Sequence, residues 1–267
     1  EENGALTVLA RALQPFVLRR TKQGVLTELP EKTEQTLYCE MGSRQRKLYA
    51  ELRDYYRASL TQRVEQNGIQ HAKIHVLEAL LRLRQAACHP GLLDAKKADQ
   101  PSAKLDALLE QVDEVMAEGH KALVFSQFTS LLSIVRSHLD RRGIAYEYLD
   151  GRTRRRQASV ERFQTDPSCP LFLISLKAGG HGLNLTAADY VILFDPWWNP
   201  AVESQAIDRT HRIGQDKPVT AYRLLTHDTI EDRMEELKAQ KKELADQLIS
   251  SDTEAFKKLT REDLEFL

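Results

Sequence analysis

Cysteine is scarce in this 267-residue sequence: Cys39, Cys88 and Cys169 are widely separated and odd in number. None sits in a Cys-x-x-Cys pair, so neither a zinc ribbon nor a disulfide framework is supported, and reduced intracellular thiols are expected. Long apolar runs are missing too. None approaches the roughly 18 residues of a membrane span, and no signal-peptide pattern opens the sequence, so no membrane partner is expected. Charge of one sign is not in excess: 38 Lys and Arg against 39 Asp and Glu give a formal net charge of −1. What is present is a 42% hydrophobic fraction, enough for a core, and a 29% charged fraction for a solvated surface. The length suits one large domain or two modest ones. The charges cluster. Arg19, Arg20 and Lys22 lie together, as do Arg152, Arg154, Arg155 and Arg156, while acidic residues dominate the C-terminal end. Screening confines each charge to about 8–10 Å, so a local basic face on a neutral protein still attracts a phosphate backbone.

Residues 1–100 lack alternating strands and helices. A short alternating stretch, Thr33 to Cys39, predicts one strand. Two helical stretches follow, Ser43–Asn67 and Ile69–Cys88, joined at Asn67-Gly68. Ser43 is an N-cap candidate, Leu48, Leu52, Tyr55, Tyr56 and Leu60 recur at helical spacing, and His89-Pro90-Gly91 stops the second helix. The pair is expected to form a helical protrusion beside the main domain. From Ser102 onward the pattern changes. A helix over Ala103–Glu118 ends at Gly119, then apolar β-rich runs at Ala122–Ser126, Ala145–Leu149, Leu171–Ser175, Tyr190–Phe194 and Val219–Leu225 alternate with helical segments. These segments are Ser130–Arg142, Arg154–Gln164, Ala201–His211 and Thr229–Leu248. Buried parallel strands with crossover helices make a doubly wound α/β sheet, whose ligands sit beyond the carboxyl ends of the strands. The expected organisation is a linker and protrusion over 1–100, an α/β lobe over 101–250 and a tail over 251–267.

The motifs that bear chemistry follow the strands. In Glu203-Ser204-Gln205-Ala206-Ile207-Asp208-Arg209-Thr210-His211-Arg212-Ile213-Gly214-Gln215, a helix would place Gln205, Arg209 and Arg212 on one face. Two guanidinium forks there suit a triphosphate, where lysine offers only a point charge; by itself, such a pair more often marks a solvated face. Ser175-Leu176-Lys177-Ala178-Gly179-Gly180-His181-Gly182-Leu183-Asn184-Leu185-Thr186 is a glycine-rich loop whose backbone can approach a phosphate, although tight turns explain most such loops. It does not fit the dinucleotide-binding pattern. Asp195-Pro196-Trp197-Trp198-Asn199-Pro200 offers Trp198, and with less force Trp197, either to a nucleic-acid groove or as a packing anchor. Asp150-Gly151-Arg152-Thr153 follows another strand, and Thr153 there can also cap the next helix. Gln127, after Ser126, can orient a phosphate or cap a helix. Cys88-His89 has no partner pair, and His71 and His75 lack the intervening Glu of a zinc-protease motif, so no metal site is expected.

The Gln-Ala-x-Asp-Arg-x-His-Arg-x-Gly-Gln string resembles motif VI of the Swi/Snf family of superfamily two motors, and differs from the Gln-Arg-x-Gly-Arg form usual in RNA helicases. The glycine-rich loop is similar to that family's motif V, the Asp-x-x-Trp-Asn-Pro segment to a family signature, Asp150–Thr153 to its Asp-Gly-Ser/Thr segment with Arg152 in place of a frequent serine, and Ser126-Gln127-Phe128 to motif IV. Phe16–Lys22, Glu28–Lys32 and Leu83–Pro90 look like its inter-lobe segments.

The resemblance implies a RecA-like second lobe, with Arg209 and Arg212 as arginine fingers reaching ATP held on a first lobe. It implies nucleotide contacts from Gln205, Gly179, Gly180 and Gly182, and DNA contacts from Gln127, Gly151, Arg152, Thr153, Ser175, Lys177, Asn184 and Trp198. Its implied partners are double-stranded DNA, the first lobe of the same chain and a DNA-bound protein target. The compartment would be the cytoplasm in a prokaryote or the nucleus in a eukaryote. No Gly-x-x-x-x-Gly-Lys-Ser/Thr loop occurs, and no predicted strand ends in an Asp-Glu pair, so ATP and Mg2+ are expected mainly on the first lobe, outside this sequence. Two other readings stay open: a non-catalytic α/β interaction module, and a lobe of an RNA-directed helicase.

Overall fold

The computed structural model describes residues 29–67, 69–179 and 182–247, with backbone alone at 67, 69–71, 179 and 240–247. Phe16–Lys22, Glu28, Gly180, His181 and the expected tail lie outside the described residues. Strand β1 (Lys32–Cys39) precedes the helical pair α1 (Ser43–Asn67) and α2 (Ile69–Cys88), which occupies the residues expected of it. Ser43 is the first helical residue rather than a cap. Then come α3 (Ala103–Ala117), β2 (Ala122–Ser126), α4 (Thr129–Arg142), β3 (Tyr146–Leu149), α5 (Arg156–Thr165), β4 (Leu171–Ser175) and the single turn α6 (Leu176–Gly179). The last elements are β5 (Tyr190–Leu193), α7 (Pro200–Ile207), β6 (Val219–Thr226) and α8 (Ile230–Gln247).

The six described strands form one sheet in the order β1-β6-β5-β2-β4-β3, and every pairing is parallel. The fold is therefore α/β, as expected. Strand β2 is the switch point. The chain winds outward from it to β3 and back to β4 on one side, then continues as β5 on the other, which opens a crevice at the carboxyl ends.

Alternation along the strands builds two cores. Ala122, Val124, Leu171, Leu173, Ile192 and Leu224 face α3 and α4, whereas Leu123, Phe125, Phe172, Ile174, Val191 and Leu193 face α5, α7 and the segment around Leu185. Strands buried on both faces read as continuous apolar runs, which is why β2 and β4 were visible in the sequence. Helix α3 ends as its glycine foretold. Gly119 has φ +73°, and the N–H groups of Gly119 and His120 bond the Met116 and Val115 carbonyls, a Schellman cap.

The expected boundary at residue 100 does not separate the sheet from what precedes it. Strand β1 pairs with β6 along its whole length, from Lys32 opposite Val219 to Cys39 opposite Thr226. It is an edge strand whose residues are mostly exposed, so it carries no apolar run to mark it as sheet. The helical pair has its own core, Tyr49, Leu60, Val76, Ala79, Leu80, Leu83, Ala86 and Ala87, to which the lobe contributes Ile230 and the flank of Trp198.

Candidate functional site

Because all strands run parallel, Gln127, Asp150–Thr153, Ser175–Gly179 and Asp195–Trp198 all leave the sheet at one edge. The segment after α7 comes to the same place by tertiary hydrogen bonds. Helix α7 ends at Ile207 and not at His211, so Gln205 is helical whereas Arg209 and Arg212 are not. The N–H groups of Arg209 and Thr210 bond carbonyls three residues back, tightening the chain beyond the helix. Arg209 C=O accepts the Leu185 N–H at 3.0 Å, and Thr210 C=O accepts the Gln215 amide at 3.3 Å, so neither serves a continuing helix.

This arrangement brings the arginines onto the glycine-rich loop. Arg212 Nη1 donates to the Leu183 carbonyl at 3.2 Å. Gln215, 6% exposed, donates through Nε2 to the carbonyls of Thr186 at 3.2 Å and Ala188 at 2.8 Å, and its Oε1 accepts the Lys217 N–H. Both arginines are half-buried, and neither is ion-paired to a described carboxylate. Arg209 Nε is buried without a hydrogen-bond partner, an uncommon state for so strong a donor. Burial, and then the like charge of Arg212, lower its pKa from the ordinary arginine value. Two adjacent cations, one with an unused donor, favour an anion. Gln205 is exposed one helical turn earlier. Gly182 has φ +56° and is exposed, a conformation in which a side chain is strained.

The residues expected to meet nucleic acid divide into two groups. Gly151, Arg152, Lys177 and Asn184 are exposed, and Thr153 is partly so. Asp150 organises its turn by accepting the Arg152 N–H at 2.9 Å and the Thr153 hydroxyl at 3.0 Å. Desolvation opposes the Asp150 charge, but these bonds, with one from Tyr148, hold its pKa below the usual aspartate value. Thr153 closes this turn and does not cap α5, whose N-cap is Arg155.

Ser175 is buried, and the half-buried Gln127 and Trp198 are engaged with other parts of the chain. The Gln127 amide donates to Asp195 at 2.6 Å, so it neither caps a helix nor projects freely. Ser175 is 3% exposed. Trp198 packs against the helical pair's core, with the Arg84 guanidinium 5.8 Å from its ring centre, and Trp197 packs toward the α5/α7 face. Asp195 is fully buried. Burial raises its pKa, while Arg84, Ser126, Lys104 and Gln127 oppose that rise. Sequence reasoning quoted Arg84, Asp195, Glu203 and Gln215 within longer motifs but gave none of them a linking role. Their signal lies in contacts between remote segments, which no spacing rule detects.

The family described as Helicase conserved C-terminal domain matches residues 103–214, and that described as SNF2-related domain matches residues 1–92. The solved SWI2/SNF2 ATPase C-terminal domain of Sulfolobus solfataricus is 30% identical, with a TM-score of 0.72, over 88% of this chain and 97% of that one. The chain belongs to the SWI2/SNF2 ATPase family. The Sulfolobus SWI2/SNF2 ATPase core in complex with dsDNA is 32% identical, with a TM-score of 0.75, over 97% of this chain and 55% of that chain. A Mycoplasma pneumoniae protein described as an uncharacterised ATP-dependent helicase is 38% identical over 96% of this chain and 24% of its own length. The chain thus spans about a quarter of that relative and corresponds to a RecA-like lobe of SWI2/SNF2 architecture. No described helix is long and apolar enough to cross a membrane.

Proposed function

We propose that this chain is the second motor lobe of an ATP-dependent double-stranded DNA translocase, completing a nucleotide site whose phosphate-binding loop lies on a first lobe. The observation that carries the reading is the adjacent pair Arg209 and Arg212, unpaired with described carboxylates and fixed to the glycine-rich loop through Leu185 and Leu183. Guanidiniums held in this way meet the charge that develops on a departing phosphoryl group without reorganising, which is where arginine fingers act. ATP supplies the phosphoanhydride to be cleaved when bound. On this chain, Arg209 and Arg212 hold its anionic end, Gln205 stands within one turn as a sensor, and Gly179, Gly180 and Gly182 allow close approach of the backbone. No group of three or more His, Cys, Asp or Glu among the described residues is placed to hold a metal ion, and Mg2+ is assigned with ATP mainly to the first lobe.

On the DNA side, Gly151, Arg152, Thr153, Lys177 and Asn184 are the contacts to the phosphate backbone, and Gln127, Ser175 and Trp198 shape the loops behind them. Phosphate contacts position a protein on a duplex without reading its sequence, which suits a translocase. The Sulfolobus relative, a core solved in complex with dsDNA, supports duplex DNA as the partner. A DNA-bound protein is the proposed target of the movement, in the cytoplasm of a prokaryote or the nucleus of a eukaryote.

The test is ATP hydrolysis by the intact polypeptide that carries this chain, with and without duplex DNA. Arg209→Ala and Arg212→Ala are each expected to lower the DNA-stimulated kcat by about 10³-fold. Full DNA-stimulated activity in both variants would overturn the finger assignment. Stimulation by structured RNA in preference to duplex DNA would favour an RNA-directed motor instead.

A further inference from the structure

The loop Phe194–Trp198 leaves β5 with its backbone held by three charged side chains, two of them from distant parts of the chain. Lys104 Nζ donates to the Phe194 carbonyl at 3.3 Å, and Arg84 Nη2 donates to the Pro196 carbonyl at 2.5 Å. Glu203 Oε1 accepts the Trp197 N–H at 2.7 Å and is itself held by Lys238 at 2.7 Å. Lys104 and Glu203 belong to helices packed on the sheet. Arg84 comes from α2 of the helical pair.

The position of Arg84 is unusual. It is 4% exposed, and its guanidinium lies 5.9 Å from the centre of the Phe128 ring, 5.8 Å from that of Trp198 and 3.9 Å from the Asp195 carboxylate. Asp195 in turn accepts the Ser126 hydroxyl and the backbone and side-chain N–H groups of Gln127. One side chain of the helical pair therefore touches both loops that flank the switch point, those after β2 and β5. For packing alone this is a poor choice. An apolar side chain of similar volume fills such a space without desolvating a charge, and here Nε is left without a partner. What arginine adds is direction, because a planar fork fixes the carbonyl and the two rings in one mutual geometry.

We propose that Arg84 is a positioning residue that couples the helical pair to the DNA-facing edge, so that α2 and the loops bearing Gln127 and Trp198 move as one body. The proposal rests on the translocase reading. Arg84→Lys in the intact polypeptide keeps the charge but loses the fork. The expected result is a fall of about tenfold in the ratio of duplex-stimulated to basal ATP hydrolysis, with KM for ATP unchanged. An unchanged ratio, or equal losses in both rates, overturns the proposal. If the wild-type polypeptide is not stimulated by duplex DNA at all, the translocase reading fails instead.

Because altering a buried charge endangers folding, a second measurement leaves Arg84 in place. Trp197 and Trp198 are the only tryptophans in the sequence, so Trp197→Phe makes Trp198 the sole reporter of the clamped loop. Duplex DNA is expected to shift the Trp198 emission of that chain. No shift at saturating DNA means that the clamped loop does not respond, and the proposal falls.

Discussion

Lys104 and Glu231 form an ion pair with 2.7 Å between ammonium and carboxylate, and neither side chain is exposed at all. Glu231 also accepts the Thr226 N–H at 2.8 Å and the Cys88 thiol, so the pair joins α3, the end of β6, the start of α8 and the end of α2. Burial alone would lower the Lys104 pKa, yet Glu231 holds it above the ordinary lysine value. Removing one partner leaves the other buried and uncompensated. Lys104→Met is expected to cost about 3–5 kcal/mol in urea unfolding, and Lys104→Met with Glu231→Leu is expected to cost less than either single change. Additive losses would show that the pair is not coupled.

His89 sets an acid limit on stability. The side chain is fully buried, and its Nδ1 accepts the Gly91 N–H at 2.9 Å. Burial, and then the charge of His138, push its pKa down to about 4. An unfolded histidine titrates near 6.5, so the unfolded state binds the extra proton between these values. Stability is therefore complete above about pH 6.5 and declines as pH falls toward 4, by at most about 3 kcal/mol from this group. Asparagine at 89 keeps an acceptor for Gly91 without titrating. Chemical denaturation across this window is expected to show a shallower decline for His89→Asn, and an unchanged slope would assign the proton to another group.

Much of this lobe was legible before its contacts were known, and the misses share a cause. Strands β2 and β4 occupy the residues their apolar runs mark, because strands buried on both faces announce themselves. Strand β1 was visible as a strand but not as part of the sheet, since its partner β6 lies more than 180 residues away and its own residues are mostly exposed. The end of α7 was overrun because residues 208–212 keep helical character in sequence. Beyond the helix, the carbonyls of Arg209 and Thr210 are taken by Leu185 and Gln215 and not by a further helical turn. Trp198 stood between a nucleic-acid groove and a packing anchor because nothing nearby in sequence reveals that Arg84 stands against its ring. Local chemistry was readable, but its long-range partners were not.

Gln215 welds the arginine segment to the glycine-rich loop through the carbonyls of Thr186, Ala188 and Thr210. Gln215→Leu conserves volume but removes this donor from the Thr186 and Ala188 carbonyls. A cost of about 1–3 kcal/mol in thermal or chemical unfolding is expected. DNA-stimulated ATP hydrolysis by the intact polypeptide is expected to fall as well, because Arg209 and Arg212 lose their fixed backing. A stable variant with full activity would show that the weld does not position the arginines.

Exposed basic residues at the sheet edge make the affinity for duplex DNA a matter of counterions. Arg152 and Lys177 are exposed there, and Arg154 and Arg155 continue the basic run. Each phosphate neutralised releases condensed cations, so the logarithm of the binding constant falls linearly with the logarithm of salt, by about 0.9 per contact. The 267-residue chain is therefore expected to bind duplexes of unrelated sequence with equal affinity and with steep salt dependence. Arg152→Ala and Lys177→Ala are each expected to weaken binding uniformly across sequences and to reduce the slope by about one. Gln127→Ala, whose amide is committed to Asp195 at 2.6 Å, is expected to leave the slope unchanged even where affinity drops. Fluorescence anisotropy between 50 and 200 mM salt, a range of about four-fold over which phosphate contacts dominate the loss, reads all three. A slope that stays the same in Arg152→Ala and Lys177→Ala would place the phosphate track elsewhere on the lobe.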